Sequence, residues 1–247
     1  MGVTIDSVDI EEAVERTVAT SANCGLLQVC TVNLDFLAHA NSDPGVGQIF
    51  RRSGLNLADG AAVVWLARLL GHRLPGRVTG ADMVPRLAEA SARGRCRLFL
   101  LGGEDGAAVE AARRLEAAYP GLRIAGTFEP PRAAVFEMAN EEILRRIADS
   151  GADTLLVAFG HPKEEYWIDA HRDQLTVKAA IGLGCCFDLI ADRRRRAPVW
   201  MRCNGLEWVF RSIQEPRRLV SRYVWDGCWS LGRALPVVIA QRSGNPT

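Results

Sequence analysis

The run RLFLLGGEDGAAVEAARRLEAAY, residues 97–119, passes from an apolar strand over Arg97–Leu101, through a turn at Gly102 and Gly103, into a helix expected over Asp105–Tyr119. A strand that hands over to a helix through glycines is the kind of unit that cradles phosphate on the helix N-terminus. LLGGEDGAAVE lacks the full G-x-G-x-x-G spacing, so it is equally readable as a tight turn. The same alternation recurs on both sides of it. Upstream, LLQVCTV (Leu26–Val32) reads as a buried strand, and a helix capped near Ser7 or Asp9 precedes it, with Ile10, Val14 and Val18 on one face. Between them and the central run lie the NSDPG break (Asn41–Gly45), the short LNLADG segment, an apolar helix over Ala61–Leu70, and a GRVTGADM loop that opens a helix reaching about Arg93. Downstream come Arg123–Gly126, a helix over Phe136–Ser150, the strand DTLLVAF (Asp153–Phe159), a helix opened by GHPKEE and running to Gln174, and a strand over Val177–Leu183. Strands alternating with helices of this length predict a doubly wound, mostly parallel α/β sheet with helices on both faces.

With 247 residues, 48% of them hydrophobic and 24% charged, the chain can bury one substantial α/β core and carry an appendage. The boundary is expected after Asp192, giving a core over 1–192 and a helical appendage over 193–247. From Arg193 onward there are eleven Arg, no Lys and three acids, a formal +8, whereas the whole chain is only +1. Such asymmetry points to an anionic partner for the tail: phosphate, nucleic acid or lipid headgroups. Four of the six Trp (Trp200, Trp208, Trp225, Trp229) are interleaved with these arginines, more aromatic surface than a merely solvated face carries. No run of about 18 apolar residues appears that could span a bilayer. The acidic start MGVTIDSVDIEEAVERTV has no signal-peptide pattern, which predicts a cytoplasmic protein. Seven Cys without a C-x-x-C spacing fit reduced thiols, and adjacent Cys185 and Cys186 lack a second ligand pair for a metal.

Thr31, Asn33, Asp59, Arg77, the Gly102-Gly103 turn, Glu164 and Asp188 all fall at expected strand ends or helix starts. A doubly wound sheet brings such points to one rim. There is no G-x-S-x-G elbow, Walker loop, H-E-x-x-H or D-x-D pair. No metal ligands are therefore expected, and arginine, whose planar fork suits phosphate, would carry the charge of a diphosphate.

From about Val29 to Tyr223 the chain resembles the WecG/TagA/CpsF family of bacterial glycosyltransferases (glycosyltransferase family 26). The matching pieces are TVN (Thr31–Asn33), ADGAAVVWLARLLG (Ala58–Gly71), RVTGAD (Arg77–Asp82), LFLLGG (Leu98–Gly103), GHPKEE (Gly160–Glu165), GLGCCFD (Gly182–Asp188), RAP (Arg196–Pro198) and GLEWVFRSIQEPRRLVSRY (Gly205–Tyr223). The resemblance implies a Rossmann-like core and an inverting, metal-independent transfer, needing no cofactor, from a UDP-sugar to a polyprenyl-diphosphate-linked sugar. It also implies a peripheral place on the anionic inner face of the cell membrane, with no nucleic-acid partner and with homo-oligomerisation left open. By position, Asp59 resembles the catalytic base, a role worth about 10² to 10⁴ in rate; its competing reading is a helix N-cap before Ala61. Thr31, Asn33 and Glu164 resemble sugar contacts, against strand-end capping for the first two. Arg77 resembles a phosphate or sugar contact, against an ion pair with Asp82. Gly102, Gly103, Gly182, Gly184 and Asp188 resemble the nucleotide-binding set, against capping for Asp188. Arg211, Arg218 and Arg222 lie on the tail that in the family folds over the site and neutralises the leaving diphosphate.

Two departures stand out. Glu164 replaces the family's usual Gln, and GTFEPPR (Gly126–Arg132) replaces a Gly-Tyr-Phe stretch, a form associated with exopolysaccharide-type members. The donor is accordingly left as a hexose or an N-acetylhexosamine. Two other readings compete: an NAD-dependent enzyme built on Leu98–Gly106, and a non-enzymatic adaptor for anionic membranes, which would explain the tail alone.

Overall fold

A computed structural model describes residues 3–21, 25–203 and 206–214. Within them lie six strands, β1 (Leu27–Val32), β2 (Leu55–Ala58), β3 (Leu98–Gly102), β4 (Ile124–Phe128), β5 (Thr154–Ala158) and β6 (Ala179–Gly182). They form one sheet in the order β2-β1-β6-β5-β3-β4, every pair parallel. The inner strands read LQVCTV, LFLLG, TLLVA and AAIG and are buried at nearly every position, as a sheet covered on both faces requires. Successive side chains then feed opposite cores. Leu98 and Leu100 pack with Met83, Leu87, Ala111 and Phe187 beneath α1 (Ile10–Ala19), α5 (Gly80–Ala92), α6 (Ala107–Ala118) and α9 (Cys186–Ile190). Phe99 and Leu101 join Ile143, Ile147 and Trp167 under α7 (Asn140–Ser150) and α8 (Lys163–Ala170). On that same face, Phe36, Phe50 and Val63 pack α2 (Leu34–Ser42), α3 (Pro44–Arg52) and α4 (Ala61–Leu69). The chain is thus an α/β sandwich of Rossmann-like architecture.

The helix starts follow local chemistry. Asp9, Asn33, Asp43 and Thr79 accept from backbone N–H groups in the first turns of α1, α2, α3 and α5, and Pro44 takes the first position of α3. The outer edge of β2 is covered by the N-terminal segment, where Asp6 exchanges backbone and carboxylate hydrogen bonds with Asn56 at 2.9 and 2.7 Å.

Three boundaries differ from the sequence reading. The LNLADG segment is strand β2, since pairing of Val29–Val32 with Leu55–Ala58 makes a ladder that four residues alone do not announce. The helix expected from Phe136 begins at Asn140; Val135–Glu137 form a 3₁₀ turn, and the Asn140 amide bridges it to α8, donating to Val135 O (3.0 Å) and accepting from Trp167 Nε1 (2.8 Å). The helix expected through Gln174 stops at Ala170, where Arg172 turns back to donate to Leu26 O and the Gln28 side chain at 3.0 and 2.7 Å. After the sheet come α10 (Val199–Cys203) and α11 (Glu207–Gln214). The rest of the expected helical appendage, with Arg218 and Arg222, lies outside the described residues. Among the described residues, no helix is long and apolar enough to cross a membrane.

Candidate active site

The carboxyl ends of the strands open on one cleft of about 1340 Å³, lined by Thr31, Asn33, Asp59, Arg77, Gly103, Glu164, Gly184 and Asp188, among others. Eight of the positions singled out from sequence therefore share a wall. Asp59 follows β2 directly, its N–H donating to Val32 O at 2.8 Å, so it extends the ladder into the cleft. The N-cap position of α4 is the next residue, Gly60, at φ +102°. Asn33 caps α2. Its Oδ1 accepts from Phe36 N at 3.1 Å, which leaves its amide nitrogen as the group to meet a ligand. Thr31 is buried and donates to Gly182 O at 3.3 Å, tying β1 to β6 at the cleft floor.

Several arginines of the cleft are held by carboxylates. Arg77 lies 3.1 Å from Glu207 of α11 and 3.7 Å from Asp82, and Asp82 in turn takes Arg196 at 2.6 Å and the Thr79 hydroxyl at 2.9 Å. Burial pushes the Asp82 carboxyl up, but Arg196, Thr79 and Arg77 together outweigh it and hold it below the usual carboxylate range. Arg194 lies 3.5 Å from Asp188, and Arg193 donates to Glu104 O at 2.8 Å. Much of the Arg193–Arg196 block is thus turned to the protein. The Arg77–Glu207 pair and a hydrogen bond from Gln214 to Arg195 O (3.1 Å) tether α11 to the core.

Glu164 is 1% exposed, and its carboxylate accepts from Phe159 N, Gly160 N and Gly184 N at 2.9–3.2 Å, clasping the turns after β5 and β6. Glu165 is buried beside it. Burial raises both carboxyls, Glu165 to about 8 and Glu164 well above its usual range, the latter also because of Glu165 and against its three N–H donors. Gly182 is the space this pair needs, since a Cβ there would stand 2.8 Å from Glu165 Oε1 and 2.9 Å from Glu164 Oε1. Gly102 likewise lies beneath the cleft rather than on it, at φ +96° with room for no Cβ against Ala158 O (2.5 Å). The N-terminus of α6 is filled from within: Glu129 accepts from Gly106 N and Ala108 N at 2.7 and 2.6 Å. A protein carboxylate thus occupies the place where the dinucleotide reading would put a pyrophosphate.

Residues 1–244 match the glycosyl transferase WecG/TagA/CpsF family. The chain belongs to that family. It is 30% identical over 190 residues to the N-acetylglucosaminyldiphosphoundecaprenol N-acetyl-beta-D-mannosaminyltransferase of Bacillus subtilis (strain 168), covering 77% of this chain and 72% of that protein. It is 24% identical over 221 residues to the enzyme of the same name from Staphylococcus aureus (strain MRSA252), covering 89% and 85%. The chain is accordingly a glycosyltransferase, which displaces both the NAD-dependent and the adaptor readings.

In this glycosyltransferase the cleft also gathers residues that the sequence reading did not assign. Trp65 puts a half-exposed indole on the wall. Lys163 reaches Ala133 O at 2.5 Å and lies 5.3 Å over the Phe159 ring; burial, with Arg132 nearby, lowers its pKa. Arg132 pairs with Glu104. Lys163 sits inside GHPKEE and Trp65 inside ADGAAVVWLARLLG, so the motifs held the signal without the direction of the side chains. Arg211 belongs to α11.

Proposed function

We propose that this glycosyltransferase moves a hexose or N-acetylhexosamine from a UDP-sugar to a polyprenyl-diphosphate-linked sugar, with inversion, in the assembly of a bacterial surface polysaccharide. The observation that carries the reading is Asp59: a carboxylate at the carboxyl edge of a parallel sheet, on the cleft wall and directly before the N-cap of α4. There it serves as general base, taking the proton of the acceptor hydroxyl as that oxygen attacks the anomeric carbon and the UDP oxygen leaves. A single displacement inverts the configuration. The relatives' names, each a transferase of an aminosugar to an undecaprenyl-diphosphate-linked sugar, support the acceptor class. The exposed Trp65 ring is the kind of flat apolar surface that packs on a sugar face. Thr31, Asn33 and Arg77 contact sugar or phosphate, while Gly103, Gly184 and Asp188 border the nucleotide. Arg77 would exchange Glu207 for a phosphate oxygen, which its fork suits as it suits a carboxylate.

The division into a core over 1–192 and an appendage over 193–247 belongs to the same proposal. Arg211, Arg218 and Arg222 neutralise the leaving diphosphate, and the Arg/Trp-rich tail holds the enzyme on the anionic inner face of the cell membrane. The test is UDP release by purified protein given a short-chain polyprenyl-diphosphate sugar and a panel of UDP-sugars. Acceptor-dependent release from one donor, lost in Asp59→Asn with the fold intact, is the expected result. Silence across the panel, with UDP giving no thermal shift, would overturn the reading.

A further inference from the structure

Beside the proposed transfer residues, three other side chains converge at the cleft. Asp35 and His39 lie one turn apart on α2, and His161 sits in the turn between β5 and α8; one donor atom from each comes within 4.8 Å of the other two. The i,i+4 spacing puts the first two on one helix face. His161 closes the triangle from 122 residues away, its ring stacked on Phe36 with centroids 3.3 Å apart and meeting the His39 ring edge-on at 5.3 Å.

Both imidazoles are also oriented from behind. His161 Nδ1 stands 3.0 Å from Glu165 Oε2, so Nε2 is the nitrogen it turns to the other two residues. His39 Nδ1 lies 2.9 Å from the Asp35 carbonyl oxygen and 3.4 Å from its carboxylate, which holds that ring on the Asp35 side. A carboxylate or carbonyl behind an imidazole is how metal sites fix tautomer and ring direction. Glu165 is 1% exposed, and its Oε1 makes no hydrogen bond among the described residues. A cation on His161 would bring positive charge next to that carboxyl.

We propose that Asp35, His39 and His161 bind a divalent transition-metal ion of the zinc type, with Glu165 as the positioning residue for His161. Two imidazoles and one carboxylate suit Zn²⁺, Co²⁺, Ni²⁺ or Fe²⁺, whereas Mg²⁺ and Ca²⁺ take oxygen donors. Three protein donors leave a position for water or a further ligand oxygen. Asp35 and His161 line the cleft, so that position is reachable from it, and neither Asp59 nor Arg77 is a ligand.

The test uses the full chain without a polyhistidine tag, stripped with chelator and titrated with Co²⁺ by its visible d–d bands, then with Zn²⁺ in competition. One equivalent of Co²⁺, displaced by Zn²⁺ and indifferent to excess Mg²⁺, is expected. His39 is nearly half exposed at its side chain, so His39→Gln leaves the fold alone and should abolish the bands. Glu165→Gln, checked by thermal melting, should weaken binding about 10- to 100-fold. Absence of bands, bands that survive His39→Gln, or thiolate charge-transfer bands from Cys185 would each overturn the site.

Discussion

Two turns on the carboxyl edge of the sheet begin alike and end differently. After β2 the chain runs through Asp59 and Gly60 into α4; after β3 it runs through Gly102, Gly103 and Gly106 into α6. At α6 the protein supplies its own anion, Glu129, to the first backbone N–H groups. At α4 the N-cap is a glycine, and the carboxylate just before it lines the cleft. The glycine-rich turn that looks more like a phosphate cradle is the closed one. The turn that brings an acid to the cleft has a single glycine. Local composition therefore ranks the two in the wrong order, because the residue that closes α6 comes from beyond β4, 21 to 23 positions along the chain.

The sharpest way to break this contrast is at the turn between β2 and α4. Asp59→Asn should lower kcat about 10²- to 10⁴-fold while the melting temperature holds; unchanged acceptor-dependent UDP release would erase the distinction. Next comes the clasp between the neighbouring turns. Glu164→Ala strands three partly buried N–H groups and should cost about 1–3 kcal/mol of stability, net of relieving the Glu165 carboxyl. Urea unfolding reads it, and a stability equal to the parent's would mean that Glu164 is not a clasp.

Glu129→Ala should cost about 1–3 kcal/mol with a far smaller loss of kcat than Asp59→Asn. It should also uncover the α6 N–H groups, so that inorganic phosphate raises the melting temperature of the variant and not of the parent. If phosphate stabilises both alike, α6 is not closed. The smallest effect belongs to a third helix start, α5, where Asp82 is held by Arg196, Thr79 and Arg77. Its folded pKa lies below the unfolded value of about 3.9, so its contribution is present above that value and is lost as pH falls through the folded one. Stability of Asp82→Asn should thus be lower than the parent's at neutral pH and converge with it in acid; parallel curves would exclude this role.

The α/β architecture was legible because a parallel strand buried on both faces has to be apolar throughout, as LFLLG and TLLVA are. The rim was legible too, since strand ends mark it: Thr31, Asn33, Asp59, Arg77, Gly103, Glu164, Gly184 and Asp188 do meet on one cleft. Less legible was what each does there. Asn33 caps α2 as well as facing the cleft, and Glu164 spends its oxygens on backbone N–H groups. Gly182 reads as a nucleotide contact but leaves room for a carboxyl pair. The basic block at Arg193–Arg196 opens the tail read as meeting an anionic partner, yet Arg193, Arg194 and Arg196 reach Glu104, Asp188 and Asp82.

By itself the sequence determined the strand–helix alternation, the parallel sheet and the side of that sheet on which chemistry is placed. These follow from periodicity and burial, which each segment carries in its own residues. The tertiary structure alone decided that Glu129 closes the N-terminus of α6, which arginines are already paired, and that His161 meets Asp35 and His39. Those outcomes depend on side chains brought together from distant parts of the chain. Whether a polar group is spent or available is settled by the partner it meets in three dimensions, not by its neighbours in sequence.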